Sequence, residues 1–283
     1  MRVLVTGAGG LLAAAIVKEF RQHHEVCAFI HCELDISAPA ASECILSVDP
    51  DVVINCAGYN DVDAAEDDPI RALTVNALAL RNLVEGVRAA NAALVHYSTD
   101  FVFDGVTDHP YTEVDRPNPR GTYAASKLLG EWFALEYRQA YVLRVESLFG
   151  EPTGMGTRHG SLDRIVSRIR AGTPVPVFTD RIVSPTYTTD AARATRELLA
   201  GGHPPGLYHC VNSGAATWAE VAAEAARLLG VPWEMTTLTL DTASLRALRP
   251  RYCALSNAKL RAQGIAMPPW QDGLRRHLLG DGD

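Results

Sequence analysis

The chain has 283 residues, of which 47% are hydrophobic and 21% charged, with a formal net charge of −7. That is ordinary globular composition. The interspersed charges exclude a basic nucleic-acid surface, and no 18-residue apolar run suggests a membrane-spanning helix. The N-terminus enters a strand directly, Arg2-Val3-Leu4-Val5, without the layout of a signal peptide. The six cysteines, Cys27, Cys32, Cys44, Cys56, Cys210 and Cys253, form no Cys-x-x-Cys pair and are expected to be buried, reduced thiols of a cytosolic protein. No metal site is expected.

The first strand, Arg2 to Thr6, runs into Gly7-Ala8-Gly9-Gly10-Leu11-Leu12-Ala13 and an amphipathic helix to about Arg21. A strand, a glycine turn and a helix N-terminus together offer free N–H groups and a positive dipole to a pyrophosphate. Glu25 to Ile30 reads as the second strand, whose end faces the adenosine ribose in such a fold. Ile30-His31-Cys32 supplies neither the acid that favours NAD nor the Arg or Lys that favours NADP, so little discrimination is expected. Asp35, followed by Ile36, either accepts a bond from adenine or caps a helix beginning near Pro39. Asp51 to Gly58 is a buried strand ending in small residues, with the loop Tyr59-Asn60-Asp61-Val62-Asp63 after it. Glu66-Asp67-Asp68 precedes a long helix, about Pro69 to Ala90, whose N-terminus these acids suit. Asn76 lies among its apolar residues.

Ala93 to Tyr97 is the next strand, and Ser98-Thr99-Asp100 stands at its carboxyl end, where open α/β sheets bind ligands. A helix is expected from Tyr123 to Glu136. Tyr123 and Lys127, four apart, then share one face. A cation beside a phenol favours the phenolate, which makes an acid–base pair for a carbonyl or alcohol, and Thr99 could share the same oxygen. The spacing alone also fits an ordinary solvated ion pair. Tyr141 to Val145 is a further strand, with Glu146-Ser147 at its end. The alternation of strands and helices indicates a Rossmann-type, doubly wound parallel α/β sheet.

After Gly150 the pattern loosens. Glycines cluster at Gly154, Gly156 and Gly160, helices are expected at Leu162 to Ala171, from Thr189, and at Trp218 to Leu229 capped by Thr217, and Asp180 to Tyr187 reads as a loop. Val175 to Phe178 and Gly206 to Val211 read as extended. Residues 1–150 therefore form a dinucleotide-binding domain, and 151–283 mainly a smaller C-terminal substrate lobe, with part of 175–210 returning to the sheet.

Taken together, the chain resembles the dTDP-4-dehydrorhamnose reductase family of extended short-chain dehydrogenase/reductases. The resemblance rests on Thr6 to Leu12, Asn55-Cys56-Ala57-Gly58, Val62-Asp63, Glu66, Asn76, His96-Tyr97-Ser98-Thr99-Asp100, Val102-Phe103, Tyr123 with Lys127, Gly130-Glu131, Leu143-Arg144, Pro185-Thr186-Tyr187, Gly206-Leu207-Tyr208-His209 and Pro268-Pro269-Trp270. It implies a cytoplasmic reductase that uses NADPH or NADH on the C4 carbonyl of a nucleotide-linked 4-keto-6-deoxyhexose, compatible with a homodimer. By the resemblance, Tyr123 donates the proton, Lys127 lowers the phenol's pKa and binds the nicotinamide ribose, and Thr99 holds the substrate oxygen. Gly7, Gly10, Leu11 and Leu12 would contact the pyrophosphate, Asp35 and Ile36 the adenine, and Gly58, Tyr59, Asn60 and Tyr97 the rest of the cofactor. Asp100 and Ser147 would line the sugar.

Departures from the family fall on the sugar side. Phe101 stands where Tyr is usual, and Val145-Glu146-Ser147 where Thr-Ser-Trp is usual, so Ser147 replaces a pocket tryptophan. Asp180-Arg181-Ile182-Val183 and Arg249 to Cys253 also differ. These changes predict poor use of dTDP-4-keto-rhamnose, unless Trp218 or Tyr252 fills the space. Two other readings stay open: a related reductase or epimerase acting on another nucleotide sugar, and a non-catalytic NAD(P)-binding regulatory subunit.

Overall fold

A computed structural model of the chain describes residues 1–151 and 160–280. The expected glycines Gly154 and Gly156 lie outside the described residues. The elements run β1 (Arg2–Thr6), α1 (Leu11–Phe20), β2 (Glu25–Phe29), α2 (Ala41–Val48), β3 (Val52–Asn55), α3 (Ala64–Asp67), α4 (Pro69–Leu73), a π-turn (Thr74–Leu78), α5 (Ala79–Ala89) and β4 (Ala93–Thr99). Then come α6 (Thr122–Leu135), β5 (Ala140–Val145), β6 (Leu148–Phe149), α7 (Ser161–Arg170), β7 (Val175–Phe178), β8 (Ile182–Val183), β9 (Thr186–Tyr187) and α8 (Thr188–Ala200). Last are β10 (Gly206–His209), β11 (Ala216–Thr217), α9 (Trp218–Leu229), β12 (Met235–Leu238), α10 (Ala258–Ala262) and α11 (Trp270–Leu279).

Six strands form one parallel sheet in the order β2-β1-β3-β4-β5-β10. Side chains alternate along each strand, and both faces are apolar. Val3, Val5 and Ile54 face a core shared with α1 and α8, whereas Leu4, Val53 and Leu94 face one shared with α2 and α5. Strand order reverses between β2 and β3 on either side of β1, which opens a crevice at the carboxyl edge.

The elements after residue 150 divide between two places. α8 packs on α1, and β10 pairs in register with β5 to complete the sheet edge. α7, β7, α9 and α11 enclose a second apolar core around Ile165, Trp218, Val221 and Trp270. The stretch expected as a loop, Asp180 to Tyr187, contains β8 and β9, which pair with β11 and β6 because each has a neighbouring strand end to bond. No helix among the described residues is long and apolar enough to cross a membrane. The cysteine expectation needs correcting in part. All six are free, but only Cys210 and Cys253 are buried, and Cys32 is exposed because the segment after β2 runs along the surface.

Candidate active site

Thr99 ends β4. Its hydroxyl donates to Asp100 Oδ1 (2.9 Å) and accepts from the Phe101 N–H (3.2 Å), which fixes the turn after the strand. α6 begins at Thr122 and carries Tyr123 in its first turn and Lys127 one turn later. Its start has a remote cap. Glu66, at α3, accepts from the Thr122 N–H (2.7 Å) and hydroxyl (3.0 Å). A side chain at Gly121 would strike that carboxylate, since its Cβ would lie 2.8 Å from Glu66 Oε1. The expected role of the acids before Pro69 is thus divided. Asp68 caps α4 through the Arg71 N–H (3.1 Å), while Glu66 serves a different helix, reached only through the fold.

The structure brings Thr99, Tyr123 and Lys127 to one cleft, lined also by Gly10, Leu11, Leu12, Tyr97 and Ser147. Tyr123 is 8% exposed and Lys127 4%. Burial pushes the Tyr123 phenol above its ordinary pKa; the Thr99 hydroxyl opposes this, and the charge of Asp100 adds to it. Burial also pulls Lys127 down to about 8, against Glu131 and Cys56. The expected depression of the phenol by Lys127 is therefore not what the fold alone produces. Desolvation dominates, and the ammonium donates to the Tyr97 carbonyl (2.5 Å).

A second cleft opens at the switch point, lined by Gly7, Gly10, Ile30, His31, Asp35, Ile36, Gly58, Tyr59 and Asn60. Gly7 has φ +66°, and a Cβ there would lie 2.7 Å from Ala57 N, so the β1 and β3 turns can meet only because Gly7 lacks one. No side chain caps the first turn of α1. Those are the properties a pyrophosphate requires: backbone at close range and an open helix N-terminus. Asp35 Oδ1 accepts from the Ser37 N–H (2.9 Å) and hydroxyl (2.7 Å). It does not cap α2, whose N-cap is Ala40, because the chain makes a local turn first. Arg71 also lines this cleft, with its guanidinium 5.8 Å from the Tyr59 ring centre. It sits far along the chain from the glycine turn, and no spacing rule points to it.

Two buried fastenings hold the frame. Arg144 of β5 forks onto Glu131 of α6, Nε to Oε1 at 2.8 Å and Nη2 to Oε2 at 2.7 Å, with both side chains 2% exposed. Asn76, in the π-turn, accepts from the Tyr59 N–H (2.7 Å) and donates to the Tyr59 carbonyl (3.0 Å) and Ser126 Oγ (3.0 Å). It thereby ties the loop after β3 to the helix that carries Tyr123. Gly130 permits that approach, since a Cβ would lie inside the Asn76 carbonyl.

On the sugar side, Ser147 lines the cleft with φ +44°, beside Phe101, Val145, Glu146 and Leu148. Among the described residues neither Trp218 nor Tyr252 lines it. Trp218 is in the core of the second lobe, and Tyr252 bridges to Ile182. Phe101 meets Tyr123 edge-on with ring centres 5.7 Å apart. Glu146 went unnoticed in the sequence as a site residue. It is 3% exposed and accepts from the Ser184 N–H (2.6 Å).

The RmlD substrate binding domain profile matches residues 1–280. A Streptomyces antibioticus protein described as a probable dTDP-4,6-dihydroxy-2-methyloxan-3-one 4-ketoreductase is 36% identical, aligned over 97% of this chain and 94% of its own length. A dTDP-4-dehydrorhamnose reductase of Mycolicibacterium smegmatis is 33% identical over 97% of this chain and 84% of its own. The dTDP-4-dehydrorhamnose reductase of Bacillus anthracis, solved in complex with NADP, superposes with a TM-score of 0.93 at 28% identity, covering 99% of each chain.

Proposed function

The chain belongs to the RmlD substrate binding domain family, and from that membership we propose that it is an NAD(P)H-dependent reductase of the C4 keto group of a nucleotide-linked 4-keto-6-deoxyhexose. The observation that carries this is the meeting of Thr99, Tyr123 and Lys127 in a cleft that also reaches Gly10, Leu11 and Leu12 of the phosphate turn. Asp100 and Ser147 line its sugar side. The lobe formed mainly by residues 151–283 would hold the rest of the nucleotide sugar. A cytosolic setting, with its NAD(P)H pool, is the one this reading implies.

The residues lining the two clefts would hold a nicotinamide dinucleotide, which would supply the hydride for the carbonyl carbon. Tyr123 gives its proton to the carbonyl oxygen as negative charge develops there. Its raised pKa keeps it protonated until that moment. Thr99 stands beside the phenol to hold the same oxygen. Lys127, as an ammonium, favours the phenolate left behind and is placed to meet the ribose hydroxyls. Gly7 and the N-terminus of α1 receive the pyrophosphate. Asp35, Ile36, Gly58, Tyr59 and Asn60 form the wall of the adenosine cleft, and Tyr97 adjoins the reacting end.

The test is reduction of a panel of keto-sugar nucleotides with NADPH, in wild type and Tyr123→Phe. Turnover in the variant should fall about 10²–10⁴-fold, the usual worth of a general acid, with cofactor affinity nearly unchanged. Near-wild-type turnover in the variant would remove Tyr123 from the mechanism. No reduction by the wild type, with the dinucleotide still bound, would favour a regulatory subunit.

A further inference from the structure

Two buried carboxyl oxygens beside the reaction cleft have no hydrogen-bond partner: Asp100 Oδ2 and Glu146 Oε1. Both residues are 3% exposed, and both line the cleft that holds Tyr123. Their other oxygens are committed, Asp100 Oδ1 to Thr99 (2.9 Å) and Glu146 Oε2 to the Ser184 N–H (2.6 Å). The two carboxyls and the Cys253 thiol lie within 4.8 Å of one another, but the thiol donates to the Pro250 carbonyl (3.3 Å) and leaves the carboxyls unpaired. Arg181 Nη2, 3.4 Å from Cys253 Sγ, already brings a cation to this cluster, which argues against a metal ion there. A buried polar atom without a partner is destabilising, so two on neighbouring side chains that line a binding cleft are most simply explained by a ligand that completes them.

We propose that Glu146, acting with Asp100, determines which sugar is accepted: their two free oxygens hold one hydroxyl on the ring carbon next to the carbonyl that Tyr123 serves. Asp100 is hydrogen-bonded to Thr99, which adjoins the Tyr123 phenol, so a group held by Asp100 lies close to the reacting centre. A hydroxyl has one proton to give and lone pairs to receive. It matches a pair in which one carboxyl is an acid and the other a carboxylate. Burial pushes both groups up, Asp100 to about 6 and Glu146 well above the usual range, while Arg181 opposes. With one of the pair holding its proton, that carboxyl donates to the hydroxyl oxygen and the hydroxyl donates to the other. A sugar deoxygenated at that carbon leaves both oxygens unpaired. The inference rests on the reductase reading above.

The test compares two nucleotide-linked 4-keto hexoses that differ only in the hydroxyl at C3, in wild type, Glu146→Gln and Glu146→Leu. The wild type should prefer the hydroxylated sugar by at least about a hundredfold in kcat/KM, as sites built to bond a hydroxyl do. Glu146→Leu should abolish the preference. Glu146→Gln keeps an acceptor for the Ser184 N–H, so it should fold normally and narrow the preference to about tenfold. NADPH affinity, read by fluorescence, should stay within about twofold in all three. Equal loss on both sugars, an unchanged ratio in both variants, or a weakened NADPH complex would each overturn the proposal. If the wild type reduces neither sugar, the reductase reading fails separately. Calorimetric binding of the matching hydroxy and deoxy sugar nucleotides then decides this one: equal affinities overturn it, and a gap that Glu146→Gln narrows supports it.

Discussion

Lys127 shows what a residue's spacing reveals and what it hides. The four-residue interval correctly places it on the face of Tyr123, but only the folded packing shows that its ammonium is desolvated. An unfolded lysine titrates near 10.4, and in the fold Lys127 is lowered to about 8 by burial. Between those values the unfolded chain binds more protons than the native one. Stability from this group therefore rises with pH from about 8 to about 10.4, and its full cost is present below 8. At about 1.4 kcal/mol per pKa unit, that cost is on the order of 3 kcal/mol. Lys127→Met should be more stable than wild type at pH 7 by up to that amount and lose most turnover. The stability gap should close by pH 10. Urea unfolding of both proteins across pH 7–10 checks this, and a variant that is less stable at pH 7 would contradict it. Glu146 shows the opposite limit. Nothing in its sequence neighbourhood marks it, because Ser184, Arg181 and Cys253 reach it from far along the chain.

At the scale of elements, α6 is held by partners from three segments: Glu66 at its start, Asn76 on its Ser126, and Arg144 beneath its Glu131. Its extent was readable in the sequence, since Thr122–Leu135 nearly coincides with the expected span. Its fastenings were not, because a side-chain pair 13 residues apart has no periodic signature. The long helix from Pro69 was readable in the same way, whereas the π-turn inside it, which aims Asn76 at the loop after β3, was not. π-turns of this kind recur at functional sites. Removing one half of a buried ion pair leaves the other charge uncompensated and costs about 3–5 kcal/mol. Glu131→Ala should thus lower the urea midpoint by that free energy at constant m-value. A loss below about 1 kcal/mol would mean that Arg144 finds another acceptor, with His209 the nearest polar group at 3.4 Å.

At the scale of the whole molecule, the alternation of strands and helices was enough to read the parallel sheet and the crevice at its carboxyl edge. The path of the second half was harder, since α8 and β10 belong to the sheet while the segments on either side belong to the other core. Because the chain crosses between the two bodies several times, each constrains the other. We expect one cooperative transition in urea. Three of the four tryptophans, Trp218, Trp233 and Trp270, lie in the second half, so fluorescence follows that part while far-UV circular dichroism follows the whole. Coincident curves are the expected outcome, and two separated midpoints would show independent units.

The place of β10 also has a consequence in time. β5 is complete at residue 145, but the strand that covers its open edge begins only at Gly206. A ribosome adding about 5–20 residues per second needs roughly 3–12 s to make the intervening stretch, and longer to clear it from its exit tunnel. Throughout that interval the nascent sheet presents the unpaired N–H and C=O groups of Ala140–Val145, an apolar strand on which another chain could add. The topology that adds the sixth strand so late thus makes the half-made protein depend on shelter, and slow translation through the second half would lengthen that exposure.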